Sequence, residues 1–287
     1  MTIRNNAFLS QRAVISVSGE ETLEFLQGLV SNNVKPMTEG KPVYAALSSP
    51  QGRFLHDFFL IPWQGKIFID MKKERVGDLF SRLKIYRLRS KVEIAIEELL
   101  YVAALWGDGL EETETSDYKI YADPRLAEIG FRAIGSKNSI ADFCGQHQIS
   151  QVTEEEYEKF RISLCVPDTS DMIVEKSLLL ESGFEELHGV DFSKGCYVGQ
   201  EVTARSKFRG QVRKSFYSVK SYENLPAAGA KITGGNETIG EMRNSIGSIG
   251  IALIYNDKYE AAVSGNISFI CNGLMLEIAR AGWAKKA

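Results

Sequence analysis

The sequence is poor in the residues that build metal centres and disulfide frameworks. Only four cysteines occur in 287 residues, Cys144, Cys165, Cys196 and Cys271, and no two of them form a CxxC pair. That spread excludes a disulfide scaffold and a zinc site of the usual spacing. His147 and His188 show no metal-ligand spacing either, so no resident metal is expected. No apolar run reaches about 18 residues, and no membrane span is expected. Residues 1–6 lack the basic region, apolar core and cleavage site of a secretory signal, and are not a long Arg- and Ser-rich transit segment. An excess of charge is missing too. The 34 Lys and Arg face 37 Asp and Glu, a net charge of −3, which argues against a general nucleic-acid binder. A reducing cytoplasm is the expected compartment. With no coiled-coil pattern to impose a multimer, a monomer is expected.

What is present is ordinary globular material. Hydrophobic residues make up 44% and charged residues 25%, and the length suggests about two domains. Ser18 and Glu21 have capping-box spacing, ahead of Leu23, Leu26, Leu29 and Val30 on one helical face. Apolar, β-rich runs follow at 43–47, 54–61 and 67–71, separated by Gln51-Gly52 and Gln64-Gly65 turns. Val76, Leu79, Phe80 and Leu83 mark a second helix, and Val92, Ile94 and Ile96 alternate as in a half-buried strand. Residues 111–117, acidic and Thr-rich, read as a solvated loop. Thr153 and Glu156 form another capping box, and the helix they open points Tyr157, Phe160 and Leu164 inward and ends before Pro167. From Val212 onward helical periodicity nearly vanishes. Short β-rich runs at 216–219, 249–254, 267–270 and 274–279 predict a small antiparallel barrel, with a boundary near residues 209–210.

The stretch KGCYVGQE, residues 194–201, is the strongest chemical signal. Gly195 permits a tight or left-handed turn, and residues 198–206 suit a short helix. Cys196 would then sit near a helix N-terminus with the Lys194 ammonium nearby, and both favour a thiolate. The alternative is a buried, inert cysteine, a common fate of free thiols.

The longer segment GVDFSKGCYVGQEVTARSKFRGQVRKS resembles the signature of the YgfZ family of folate-binding, iron–sulfur-related proteins. That family includes mitochondrial proteins that assist [4Fe–4S] cluster assembly. GEETLEFLQGLVSNNV and YAALSSPQGRFLHDFFL resemble its N-terminal segments. The resemblance implies an α+β fold of the glycine-cleavage T-protein type. It would have a mixed α/β body in two lobes over residues 1–209, a C-terminal antiparallel β-barrel over 210–287, and a central hole for tetrahydrofolate or another reduced folate. Glu181, in LLLESGF, matches the glutamate with which T-proteins bind the pterin, where a carboxylate accepts two N–H bonds side by side. A surface glutamate is the alternative. The folate tail ends in carboxylates, which suit a guanidinium. Arg205, Arg209 and Arg213 are candidates, Arg205 first because it lies inside the signature. Gln200 and Tyr197 belong to the signature as candidate folate contacts, Tyr197 either stacking on the folate or packing beside the thiol.

The departures are specific. T-proteins carry an Asp-Asp pair after the turn at 51–53, and one Asp assists aminomethyl transfer. Here the pair is His56-Asp57. Asp57 is a candidate catalytic residue or a structural hydrogen-bonding group in an apolar run, and His56 would face solvent. The resemblance therefore implies a folate-binding accessory protein for assembly or repair of iron–sulfur enzymes, working with assembly proteins or client enzymes. Cys196 would be a transient ligand or a nucleophile, with Lys194 as its activator. The alternatives are an aminomethyltransferase and a scaffold with a vestigial folate pocket.

Overall fold

Ten nearly continuous apolar residues, FLHDFFLIPW, form the strand Phe54–Trp63, buried along almost its whole length. A run apolar on both faces belongs in the middle of a layered core. In the computed structural model, which describes residues 4–210 and 212–284, this strand lies inside a five-stranded sheet. Its order is Val43–Ser48, Phe54–Trp63, Lys66–Lys72, Arg12–Ser18, Glu93–Ile96. A six-stranded sheet is centred on Tyr101–Trp106, which pairs antiparallel with Asn5–Phe8 on one side and Phe131–Gly135 on the other.

Both sheets belong to one compact unit, made of Met1–Ser48, Leu55–Tyr157 and Leu187–Val198. The helix Lys137–Gln146 starts at Ser136, whose hydroxyl accepts from Ser139 N at 3.1 Å. It lays Ile140, Phe143 and Cys144 against Ala103, Leu105, Ile120 and Ala133 of the six-stranded sheet. Asp70, on the strand Lys66–Lys72, ties the two sheets. Its carboxylate accepts Arg12 Nε at 2.6 Å and Arg132 Nη2 at 2.6 Å, and all three side chains are buried.

The second unit consists of Ser49–Phe54, Glu158–Glu186 and Gly199–Ala287. Its centre is a closed six-stranded barrel of Lys214–Lys220, Ile249–Tyr255, Glu237–Ile246, Lys231–Gly234, Phe269–Cys271 and Leu274–Arg280, in that order round the wall. Tyr217, Val219, Ile232, Met242, Ile254 and Leu276 fill its interior. Closure removes every free strand edge. Beside the barrel, Arg161 is fully buried. It is held by Asp171 at 2.7 Å and Glu158 at 2.7 Å, while Asn244 of the barrel donates to the other oxygen of Asp171 at 2.7 Å.

Two local expectations change and one holds. The helix Thr22–Gln27 has Glu21 as its N-cap residue with no side-chain cap. Glu21 instead accepts from Lys91 N at 2.8 Å, and Ser18 ends a strand. The capping box at Thr153–Glu156 does form, with reciprocal bonds of 2.9 and 3.2 Å. The barrel region contains a helix, Asn256–Ser264, which buries only Ala262 and so carries little apolar periodicity.

Candidate functional site

Two groups of residues stand out, one in each unit. In the second unit, residues 178–184 fold into successive turns, with Ser182 N donating to Leu178 O and Phe184 N to Leu179 O, both at 3.1 Å. Gly183, at φ 75°, supplies the left-handed residue that such a reversal needs. These turns place Glu181, half-buried, in a cavity of about 290 Å³ lined also by Gly52, Leu180, Thr203, Ser206 and Arg213. Gly52 has φ 68°, and a Cβ there would meet Val202 Cβ at 2.8 Å, so the wall requires glycine. Burial pushes the Glu181 carboxyl above its ordinary value, against the opposing pull of Lys214, Arg53 and Arg213. Among the described residues no side chain or amide donates a hydrogen bond to this carboxylate. A half-buried acceptor with no donor, ringed by three cations, is equipped to take paired N–H groups and an anionic tail from a ligand.

Arg213 is the arginine of the three candidates that lines this cavity. The side chain of Arg209 lies outside the described residues. Arg205 is exposed on the helix Gln200–Arg209 and bonds Glu201 Oε1 at 3.1 Å, one turn away on the same face. Gln200 is the first residue of that helix and half-buried. Arg53 and Lys214 escaped the sequence reading. Arg53 sits in a stretch legible only as a turn, and Lys214 opens a barrel strand.

In the first unit, Cys196 is the exposed member of the four cysteines; the other three are buried. Burial pushes the Cys144 thiol up to about 11 and raises Cys165 and Cys271 as well. Lys194 is not a free ammonium beside the thiol. It is buried, and Nζ donates to Gln27 O at 2.8 Å, Val30 O at 2.6 Å and Asn32 O at 2.8 Å. Desolvation lowers it to about 8, with Asp191 pulling the other way. Tyr197 is buried with its ring 5.0 Å from that Nζ. The expected left-handed turn is not at Gly195, whose φ is not positive, but at Gly199, φ 84°, the N-cap of the helix. The helix therefore starts at Gln200, two residues later than expected, and Cys196 precedes its first turn.

Asp57 is buried and accepts the Tyr44 hydroxyl at 3.0 Å. His56 does not face solvent. It is 1% exposed, and its Nε2 meets Asp78 Oδ2 at 2.7 Å. Burial and the nearby Arg75 lower it to about 4, so it is neutral at physiological pH, with Nε2 carrying the proton. Among the described residues no group of three or more His, Cys, Asp or Glu is placed to hold a metal.

Comparison with known proteins turns these observations toward a family. Residues 213–286 match the family model of the CAF17 C-terminal β-barrel domain. The chain is 31% identical to the iron–sulfur cluster assembly factor IBA57 homolog, mitochondrial, of Coccidioides immitis (strain RS), over 85% of this chain and 70% of that protein. The chain belongs to the IBA57 family. It is 36% identical to the Mycosarcoma maydis member over 75% of its own length, but spans only 57% of that relative. It is 29% identical to the Homo sapiens member, with 87% and 77% covered. The fold matches the crystal structure of glycine cleavage system aminomethyltransferase T from Bartonella henselae with a TM-score of 0.77. That match covers 98% of this chain and 86% of that one at 14% identity, so the T-protein-like body and terminal barrel stand as fold alone. The cytoplasmic expectation is overturned, because these relatives are all named mitochondrial. Cysteines kept reduced distinguish an oxidising compartment from a reducing one and cannot choose between two reducing ones.

Proposed function

We propose that this protein is a folate-binding iron–sulfur cluster assembly factor acting in the compartment of its mitochondrial relatives. The iron–sulfur part of the reading is supported by kinship with IBA57 proteins. The observation that carries the folate part is the Glu181 carboxylate, half-buried in a cavity, with no donor among the described residues and with Arg53, Arg213 and Lys214 around it. Glu181 would accept the paired N–H donors of a reduced pterin, and the cations would meet the carboxylates of the tail. Cys196, exposed where the other thiols are buried, would serve as one ligand to a cluster in transit. A single thiolate is one of the usual four, so the others would come from a partner protein.

The test is a pair of variants. Glu181→Gln keeps the shape but turns a donor toward pterin donors, and loses a charge-assisted bond worth about 1.5–3 kcal/mol. Calorimetric titration with tetrahydrofolate is expected to show affinity falling tenfold or more. Because folding holds the Glu181 carboxyl above its unfolded value, ionising it opposes folding at neutral pH. The amide is therefore expected to leave the melting temperature at pH 7 unchanged or higher, separating lost binding from lost structure. Cys196→Ala should fold normally and fail to restore [4Fe–4S] enzyme activities in a deletion strain, with glycine cleavage unaffected. Unchanged folate affinity in the glutamine variant removes Glu181 from the site; full complementation by the alanine variant removes Cys196.

A further inference from the structure

The lysine two residues before the exposed cysteine is in the wrong state to act as its charge partner. An ammonium has three N–H donors. All three of Lys194 are directed at main-chain carbonyls, those of Gln27, Val30 and Asn32, at 2.6–2.8 Å. None remains for a thiolate. The three acceptors lie at and just beyond the C-terminal end of the helix Thr22–Gln27, where carbonyls are left without helical partners and the helix dipole is negative. The Tyr197 ring, 5.0 Å from Nζ, adds a face attractive to a cation.

Other bonds tie the same stretch to the N-terminal segment. Ser31 Oγ donates to Gly189 O at 2.6 Å, Asn32 Nδ2 to His188 O at 2.6 Å and Ser48 Oγ to Val198 O at 2.8 Å. These hold the two ends of residues 188–198, and Lys194 holds the middle. Between Lys194 and Tyr197, both buried, the exposed pair Gly195-Cys196 is presented outward. A Cβ built at Gly195 meets nothing within 4 Å among the described residues beyond its two chain neighbours, so the space on that side is open.

We propose that Lys194 is the positioning residue for Cys196: its caged ammonium pins the cysteine-bearing segment to residues 27–32 and so fixes where the thiol is offered. This rests on the reading of Cys196 as the working thiol, but its readouts do not depend on folate or on any cluster. Wild-type protein and Lys194→Met, which keeps the stem and removes the ammonium, would be compared by hydrogen–deuterium exchange and by mass-resolved alkylation across pH. Amides of residues 189–198 are expected to exchange roughly tenfold to hundredfold faster in the variant, the loss associated with one charge-assisted bond. The plateau alkylation rate of Cys196 at high pH should rise several-fold while the midpoint of its pH profile stays in place. Lys194→Arg should recover part of the protection. If the methionine variant does not fold, competitive acetylation of the folded wild type decides, with Lys194 expected among the slowest lysines to react.

Unchanged exchange and an unchanged plateau overturn the proposal. So does an upward shift of the Cys196 midpoint with protection intact, the signature of a charge partner. Acetylation of Lys194 as fast as that of exposed Lys220 overturns it without any variant. Failure of Cys196→Ala to show a cellular phenotype would instead remove the functional reading and leave the positioning result standing.

Discussion

His56 shows how far a single side chain can depart from what its neighbours in sequence suggest. It occupies a position in an apolar strand where solvent exposure was expected, yet it is buried and bonded to Asp78, while Arg75 and Arg82 reach the same carboxylate oxygen at 3.3 and 3.0 Å. The His-for-Asp difference was legible; its partner, 22 residues away on a helix, was not, because no local pattern links a strand histidine to a helix aspartate. Folding lowers the His56 pKa from about 6.5 to about 4. The unfolded chain therefore takes up this proton first. Stability is expected to fall as pH drops through that interval and to level off below it, by roughly 3 kcal/mol for this one group. Urea denaturation from pH 7 to pH 4 checks the slope. His56→Gln, which can still donate to Asp78, should flatten it. Glu181 and Cys196 stand out in the sequence as candidates, since each lies in a distinctive string. What they touch does not: Arg53 approaches Glu181 from a turn more than a hundred residues away, and the Lys194 ammonium turned inward because three orphan carbonyls offered it more than an exposed thiol did.

Two buried runs of the first unit were legible as strands, while Tyr101–Trp106, buried over four of its six residues, was not. The apolar runs at 54–61 and 67–71 became strands because both of their faces are covered, and the Thr153–Glu156 box capped its helix with both partners exposed to solvent. The box at Ser18 did not form. Glu21 found a main-chain donor at Lys91, and tertiary bonding overrode a local motif. In the barrel, the strands Lys231–Gly234 and Glu237–Ile246 were missed because Gly, Asn, Thr and Glu outnumber their apolar residues, and only ring closure buries Ile232, Ile239 and Met242. Between elements, Asp70 is the most exposed to test. It brings one carboxylate to guanidiniums from both sheets of the first unit. Asp70→Ala leaves Arg12 and Arg132 buried without it and is expected to cost about 3–5 kcal/mol, measured as a lower urea midpoint. Lys41→Ala, which removes an exposed pair with Glu39, should change the midpoint little.

At the scale of the whole molecule, neither unit is continuous along the chain. The second unit takes a six-residue loop from between two strands of the first, a middle stretch, and the C-terminal barrel. Phe54 N donates to Ser177 O at 3.0 Å and Glu175 N to Phe54 O at 2.8 Å, so its closing contacts span more than a hundred residues. Synthesis is vectorial, and this order has a cost in time. When Val198 has been added, the first unit has all its segments and the second lacks its barrel. At about 5–20 residues per second, the remainder takes roughly 5–20 s to make. Ribosome-bound chains with residues 1–198 outside the exit tunnel are expected to resist limited proteolysis across the strands Tyr101–Trp106 and Phe131–Gly135 and to be cut readily within 158–186; full-length chains should resist at both. During that interval the Glu181 turns hang without the strand that brings Lys214 beside them. Under the folate reading proposed above, the cavity gains its full set of cations only once the barrel strand Lys214–Lys220 is in place, so that an incomplete chain offers the ligand an unfinished site.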